Sequence, residues 1–170
     1  MEQAYEAGKV RAIGLSNFNV DQIEEIMSVC KVRPTVLQTE LHPYNQEPKL
    51  KKLLKENGIV PQAWYPLGHG DKALLNEPLF AALGEKYGKS TAQIILRWEL
   101  QKGIVVIPKS VKQKRVLSNM DVFDFELEEE DMQKIDAMDV NTKVTCARPD
   151  QLWPDFLAEK KARMDAGARF

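Results

Sequence analysis

Apolar residues along this chain fall into short β-branched runs that alternate with segments where they recur every three or four positions, the two periods of strands and helices. Residues 1–7 read as the tail of a helix stopped by Gly8. Residues 10–15 (VRAIGL) form a short strand, and the loop Ser16-Asn17-Phe18 leads to Asn19, an N-cap with Gln22 three positions on. Val20, Ile23, Ile26, Met27 and Cys30 then mark the apolar stripe of a helix. A second strand at 35–39 (TVLQT) runs through a loop at 40–46 into a helix opening at Pro48, with Leu50, Leu53 and Leu54 on its buried face and Gly58 as its stop. The third strand, 59–64, contains Pro61, which removes one ladder hydrogen bond.

A long loop from Tyr65 to Asn76 follows, then helices at 78–87 and after Ser90, the latter with Gln93 in its capping box and Ile94, Ile95 and Trp98 inward. The fourth strand is the unbroken run 104–107 (IVVI), a pattern that predicts burial on both faces, as in parallel sheets. Lys109 and Ser110 come next, then a helix to about Met120. One more, acidic, helix spans 127–138, and from Asn141 the pattern dissolves into a tail with Trp153, Pro154 and Phe156 and a charged helical end.

Four successive strand–helix units imply right-handed crossovers and an α/β fold. Spacing allows either an open doubly wound sheet or one side of a (β/α)8 barrel. In both, the loops after the strands line the ligand-binding face. Ser16-Asn17, Gln38, residues 64–70 and Lys109-Ser110 are therefore expected to converge on one edge. A strand that delivers an ammonium and a hydroxyl to a helix N-terminus makes an anion site, with phosphate as its natural guest. An ordinary turn with a solvated lysine is the alternative. Small polar groups, a flat aromatic, a glycine loop and a cation together suit a dinucleotide.

Composition narrows the class further. A chain of 170 residues with 44% hydrophobic content and a net charge of -1 suits one domain with a core, without a global pull on nucleic acid or anionic lipid. Cys30 and Cys146 are isolated, which supports neither a disulfide framework nor a zinc site and suits a reducing, cytoplasmic setting. No targeting segment or membrane-length apolar run is legible.

The segments GKVRAIGLSNF (8–18), QTELHPY (38–44), AWYPLGHG (63–70) and IPKSVKQKRVLSN (107–119), in this order, resemble the C-terminal half of the aldo-keto reductases. The likeness runs from residue 1 to about 138, within the diketogluconate-reductase-like bacterial branch, and its IPKS stretch is the most specific part. It implies a partial (β/α)8 TIM barrel, about strands five to eight, in an oxidoreductase that moves hydride between NADPH and an aldehyde or ketone. By the resemblance, Ser16, Asn17 and Gln38 hold the nicotinamide carboxamide and Trp64 stacks on its ring. The Trp64-Tyr65 pair departs from the Tyr-Ser of many relatives and is similar to the bacterial version. Leu67, Gly68 and Gly70 line the pyrophosphate loop; Lys109, Ser110 and Val111 take the phosphate on the adenosine ribose; Arg115 and Asn119 flank the adenine end.

The family's catalytic Tyr, Lys, Asp and His belong to the N-terminal half of the barrel, so no catalytic residue and no metal ligand is assigned here. His42 reads as a structural, hydrogen-bonded histidine, and His69 as a solvated loop residue with substrate or phosphate contact as its alternative. Tyr44 and Tyr65 lack a neighbouring lysine in sequence to tune them as acids. The acidic run 126–131 reads as a solvated helix N-terminus. Residues 1–140 then form a cofactor-binding domain and 141–170 a loop and tail. A four-strand arc is expected to leave roughly ten apolar inward side chains uncovered, so the chain reads as a truncated reductase, inactive alone and in need of the missing half-barrel or self-association. A non-catalytic nucleotide-binding module and an inactive fragment are the other readings. The partner is a small carbonyl compound, with no nucleic acid or membrane.

Overall fold

The β-branched runs pair side by side in chain order, each parallel to the next: β1 (Gly14–Ser16), β2 (Val36–Glu40), β3 (Val60–Trp64) and β4 (Val105–Val106). The arrangement is that of a computed structural model, which describes residues 1–70, 72–141 and 143. A doubly wound sheet reverses its strand order at a switch point. An order that never reverses is an arc of a (β/α)8 barrel, here about half of one.

Eight α-helices connect and cover the arc among the described residues: α1 (Glu2–Glu6), α2 (Val20–Val29), α3 (Pro48–Glu56), α4 (Lys72–Leu75), α5 (Pro78–Tyr87), α6 (Thr91–Gln101), α7 (Gln113–Met120) and α8 (Glu129–Asp136). The starts of α2 and α6 follow from local chemistry. Asn19 Oδ1 accepts from the Gln22 N–H at 2.9 Å while Gln22 Oε1 accepts from the Asn19 N–H at 3.0 Å, and Ser90 and Gln93 repeat the arrangement. Pro48 and Pro78 open α3 and α5, where a missing N–H costs nothing.

Strand alternation sends Leu15 and Leu37 toward the helices, where Leu37 joins Ile23, Leu50, Leu54 and Ile59 in one core. A second core, between α5, α6 and α8, is built on Phe80, Ile94, Ile95, Trp98, Met132 and Ile135. Gln46 ties α8 to the β2–α3 loop: its Nε2 donates to the carbonyls of Pro43, Ile135 and Asp136 at 2.9, 3.1 and 3.0 Å.

The sequence expectations need four corrections. Residues 10–13 lie outside β1; Ile13 still accepts from the Thr35 N–H at 2.8 Å, but the ladder register begins at Gly14. β4 is not buried on both faces: Ile104 is 2% exposed and Val105 42%, because helices cover only one side of the described arc. The opposite, concave face carries far fewer apolar groups than roughly ten. Val60, Val105 and Ile107 are exposed there and Val36 is half-buried, interleaved with Ser16, Gln38 and Gln62. Finally, the acidic run is not uniformly solvated, since Asp131 is 2% exposed and held by Lys86, Lys134 and Tyr87. The tail features at Arg148, Trp153, Pro154 and Phe156 fall outside the described residues.

Candidate functional site

At the C-terminal end of the sheet the loops leave their strands together. Ser16 stands in register with Gln38, and the Asn17 N–H donates to the Gln38 carbonyl at 2.9 Å. Asn17 adopts φ 59°, a left-handed conformation that asparagine accepts more readily than most residues. Its side chain crosses to β3: the Trp64 indole N–H donates to Asn17 Oδ1 at 2.8 Å. Gln38 Nε2 donates to Gln62 Oε1 at 2.6 Å. Ser16, Asn17, Gln38 and Trp64 are thus one cluster drawn from three strand ends. Gln62 is the member that the sequence reading missed. Its signal was its position two residues before Trp64, on the same face of one strand.

Beyond Trp64 the chain doubles back. Tyr65, Gly68, His69 and Gly70 have φ of 56°, 57°, 57° and 78°. The Gly68 N–H donates to the Tyr65 carbonyl at 2.8 Å and the Gly70 N–H to that of Leu67 at 2.9 Å. Glycine at 68 and 70 removes the steric cost of such a path, and a Cβ at Gly70 would meet open space, leaving its backbone free for close approach. Leu67 anchors the loop against the α5–α6–α8 core. The rings of Trp64 and Tyr65 lie 4.4 Å apart, and those of Tyr65 and His69 4.2 Å, so His69 packs on an aromatic neighbour while remaining exposed.

The β4 end reaches the same edge through the Ile107 N–H, which donates to the Ala63 carbonyl at 3.3 Å. Lys109 and Arg115 are exposed and, among the described residues, in no ion pair. Val111 is exposed and Asn119 half-buried on α7. The Ser110 hydroxyl accepts from the Lys112 N–H at 3.2 Å, and no side chain caps α7, so its first N–H groups stay available to an anion. No described hydrogen bond joins the Lys109–Asn119 segment to the amide and indole cluster. The two groups share an edge by topology.

Around the other flank of Asn17 lies a shallow cavity of ≈ 440 Å³, lined by Phe18, Glu47, Pro48, Asp139 and Lys143 among others. His42 is fully buried, with its Nε2 3.1 Å from a Glu40 carboxylate oxygen, as expected of a structural histidine. The Tyr44 hydroxyl donates to the Glu77 carboxylate.

One constellation of catalytic residue types lies away from the strand ends. Tyr87 and Lys86 both donate to Asp131 Oδ2 at 2.7 Å, between α5 and α8. The Lys86 ammonium holds the Asp131 carboxyl down to about 2, and burial pushes the Tyr87 hydroxyl up, the wrong direction for a proton donor at neutral pH. It is a brace between helices. Another buried acid, Glu99, has both oxygens unpaired, and burial raises its pKa well above the ordinary range. Burial likewise lowers its charged neighbour Lys51 to about 8, with Lys102 adding repulsion. No metal-binding group of His, Cys, Asp or Glu occurs among the described residues, nor a helix long and apolar enough to cross a membrane.

Parallel strands in unbroken order, with polar loops gathered at their C-terminal ends, define the (β/α)-barrel class of α/β proteins. Within that class, residues 1–140 match the Aldo/keto reductase family, and the chain belongs to it. It is 45% identical over 152 residues to a glyoxal reductase of Bacillus subtilis, covering 89% of this chain and 54% of that protein. Among solved structures it is similar to an aldo-keto reductase complexed with NADPH, at 33% identity and a TM-score of 0.82 over 90% of this chain and 49% of the other. A Bombyx mori aldo-keto reductase in complex with NADP matches at 34% identity and a TM-score of 0.81, over 88% of this chain and 51% of that one. The chain spans about half the length of the relatives it matches. NADP(H) is the cofactor of these solved family members.

Proposed function

We propose that this chain is the cofactor-binding, C-terminal half of an NADPH-dependent aldo-keto reductase barrel, strands five to eight, acting on an aldehyde or ketone in the cytoplasm. Residues 1–140 are its NADP(H) domain. The observation that carries the reading is the cluster in which Trp64 bonds Asn17 beside the paired amides of Gln38 and Gln62.

Ser16, Asn17 and Gln38 orient the carboxamide of the nicotinamide, and Trp64 covers one face of its ring, with Tyr65 against the indole. Leu67, Gly68 and Gly70 shape the backbone that meets the pyrophosphate. Lys109, Ser110 and Val111 meet the phosphate on the adenosine ribose at the uncapped start of α7, and Arg115 and Asn119 border the adenine. The reduced cofactor supplies the hydride that the carbonyl carbon accepts. The protein must deliver a proton to the carbonyl oxygen. Tyr44 is engaged with Glu77 and Tyr65 lies between Trp64 and His69, and we assign that proton to the complementary half-barrel.

Titrating the chain with NADPH while following tryptophan fluorescence tests the binding step. Saturable quenching that disappears in Trp64→Phe is expected, and a flat titration of the folded chain rejects the reading. Carbonyl reduction is expected only when the complementary half is added. Binding without turnover in either condition marks a nucleotide-binding module instead.

A further inference from the structure

Among the described residues, every lysine but one is either exposed or in an ion pair with a carboxylate. Lys51 is half-buried, in the first turn of α3, and has neither a hydrogen bond nor an ion pair among those residues. Its nitrogen stands 6.0 Å from the centroid of the Trp98 ring on α6, and a second ammonium, that of Lys102, stands 5.1 Å from the same centroid. The acids that face it are engaged elsewhere. Asp136 Oδ1 accepts from the Trp98 indole N–H at 2.8 Å and from Lys102, and Asp139 Oδ1 accepts from the N–H groups of Gln46 and Asn141 at 3.2 and 3.0 Å. Glu99 is fully buried with both oxygens unpaired, and burial favours its protonated, uncharged form. Desolvation, and then repulsion from Lys102, bring the Lys51 amine down to about 8 against the smaller pulls of Asp136, Asp139 and Glu99.

We propose that Lys51 is a covalent modification site for small aldehydes: a nucleophilic amine between α3 and α6, reached in part by solvent, crowded by the ammonium of Lys102 and bonded by no carboxylate. The neutral nitrogen adds its lone pair to the aldehyde carbon. The carbonyl oxygen then departs as water with both amine protons and a C=N bond remains, with nothing oxidised or reduced. An amine that titrates near 8 is about one quarter neutral at about pH 7.5, whereas an ordinary lysine near 10.4 is about one thousandth neutral. The weaker base is also the weaker nucleophile, which by the behaviour of thiols takes back roughly tenfold of that gain and leaves about tenfold. Half burial restricts the site to small electrophiles. None of these groups belongs to the strand-end rim, so the site stands apart from cofactor binding.

The experiment treats the full chain with acetaldehyde and cyanoborohydride, which reduces the imine to a stable secondary amine, and follows each lysine by peptide mass spectrometry. At about pH 7.5, Lys51 should be alkylated about tenfold faster than Lys49 and Lys55, which are exposed on the same helix. In concentrated urea the three should react alike. Trace acetylation with acetic anhydride reads the pH profile: the Lys51 rate should level off above about pH 8, while that of free Nα-acetyllysine rises to about pH 10. Lys102→Met removes the neighbouring charge and should move the Lys51 midpoint upward. Lys51 labelled no faster than Lys49 and Lys55 in the folded chain overturns the site, as does a Lys51 profile that follows acetyllysine. An unmoved midpoint in a folded Lys102→Met overturns the part assigned to Lys102.

Discussion

The indole N–H of Trp64 donates to the side-chain oxygen of Asn17 at 2.8 Å, joining residues 47 positions apart in the chain. The bond fastens the β1 loop to the end of β3 across β2. It also fixes a left-handed asparagine whose amide then has one possible orientation. Asn17→Ala removes both the bond and the free Nδ2. Loss of one such hydrogen bond is worth about 0.5 to 1.5 kcal/mol, so NADPH binding should weaken by several-fold, as a fluorescence titration would read.

Lys109 supplies a cation at the start of α7, beside a helix end without a side-chain cap. A charge-assisted hydrogen bond contributes roughly 1.5 to 3 kcal/mol. Lys109→Ala should therefore lower the preference for NADPH over NADH by about tenfold or more, with little effect on NADH itself. An unchanged ratio of the two dissociation constants would remove Lys109 from the phosphate site.

Gly14 lies where β1 meets β2 most closely: a Cβ there would stand 2.8 Å from the Val36 carbonyl oxygen and also meet the Val36 side chain. Gly14→Ala has to push the edge strand away from its only described neighbour. Urea denaturation should show a loss of about 1 to 3 kcal/mol, the usual cost of overpacking.

Asp131 braces α5 to α8 by accepting from Lys86 and Tyr87, and its pKa falls from 3.8 to about 2. A carboxyl lowered on folding stabilises the chain above its unfolded value. That contribution is lost as pH drops from about 4 toward 2. Lys86→Met should raise the Asp131 pKa and move the acid unfolding midpoint upward. Asp131→Ala should cost about 1.5 to 3 kcal/mol at neutral pH, read by urea denaturation, because it removes the charge-assisted bonds that join the two helices, while Lys86 and Lys134 keep Glu128 and Glu130.

Glu99 gives the opposite sign. Its pKa is raised on folding, so the folded chain retains a proton that the unfolded chain loses above the ordinary 4.5. Stability is fully present below that value and declines as pH rises through the interval up to the folded pKa, opposed only by the nearby charge of Lys51. Glu99→Gln keeps the shape and removes the titration. Its melting temperature should fall less than that of the wild type as pH rises above 4.5, leaving the variant the more stable of the two at the upper end.

Local chemistry made much of this visible in advance. The Asn19–Gln22 and Ser90–Gln93 capping boxes, the N1 prolines at 48 and 78, and the apolar stripe of α6 act within a few residues, and each formed where the pattern placed it. The choice between a doubly wound sheet and a barrel was not visible, because strand order is a property of long-range pairing. β4 shows the same limit: IVVI reads as a strand covered on two sides, but whether a second side is covered depends on what packs there.

The sequence by itself determined the alternation of strands and helices, the residues delivered to the strand ends, and the family likeness carried by its loops. Each of these is written in short-range spacing. Only the tertiary structure decided that Gln38 would be met by Gln62, Asn17 by Trp64 and Asp131 by Lys86, since a hydrogen bond between distant residues depends on register and helix packing. Register is set jointly by every strand in the arc, and no single stretch of chain encodes it.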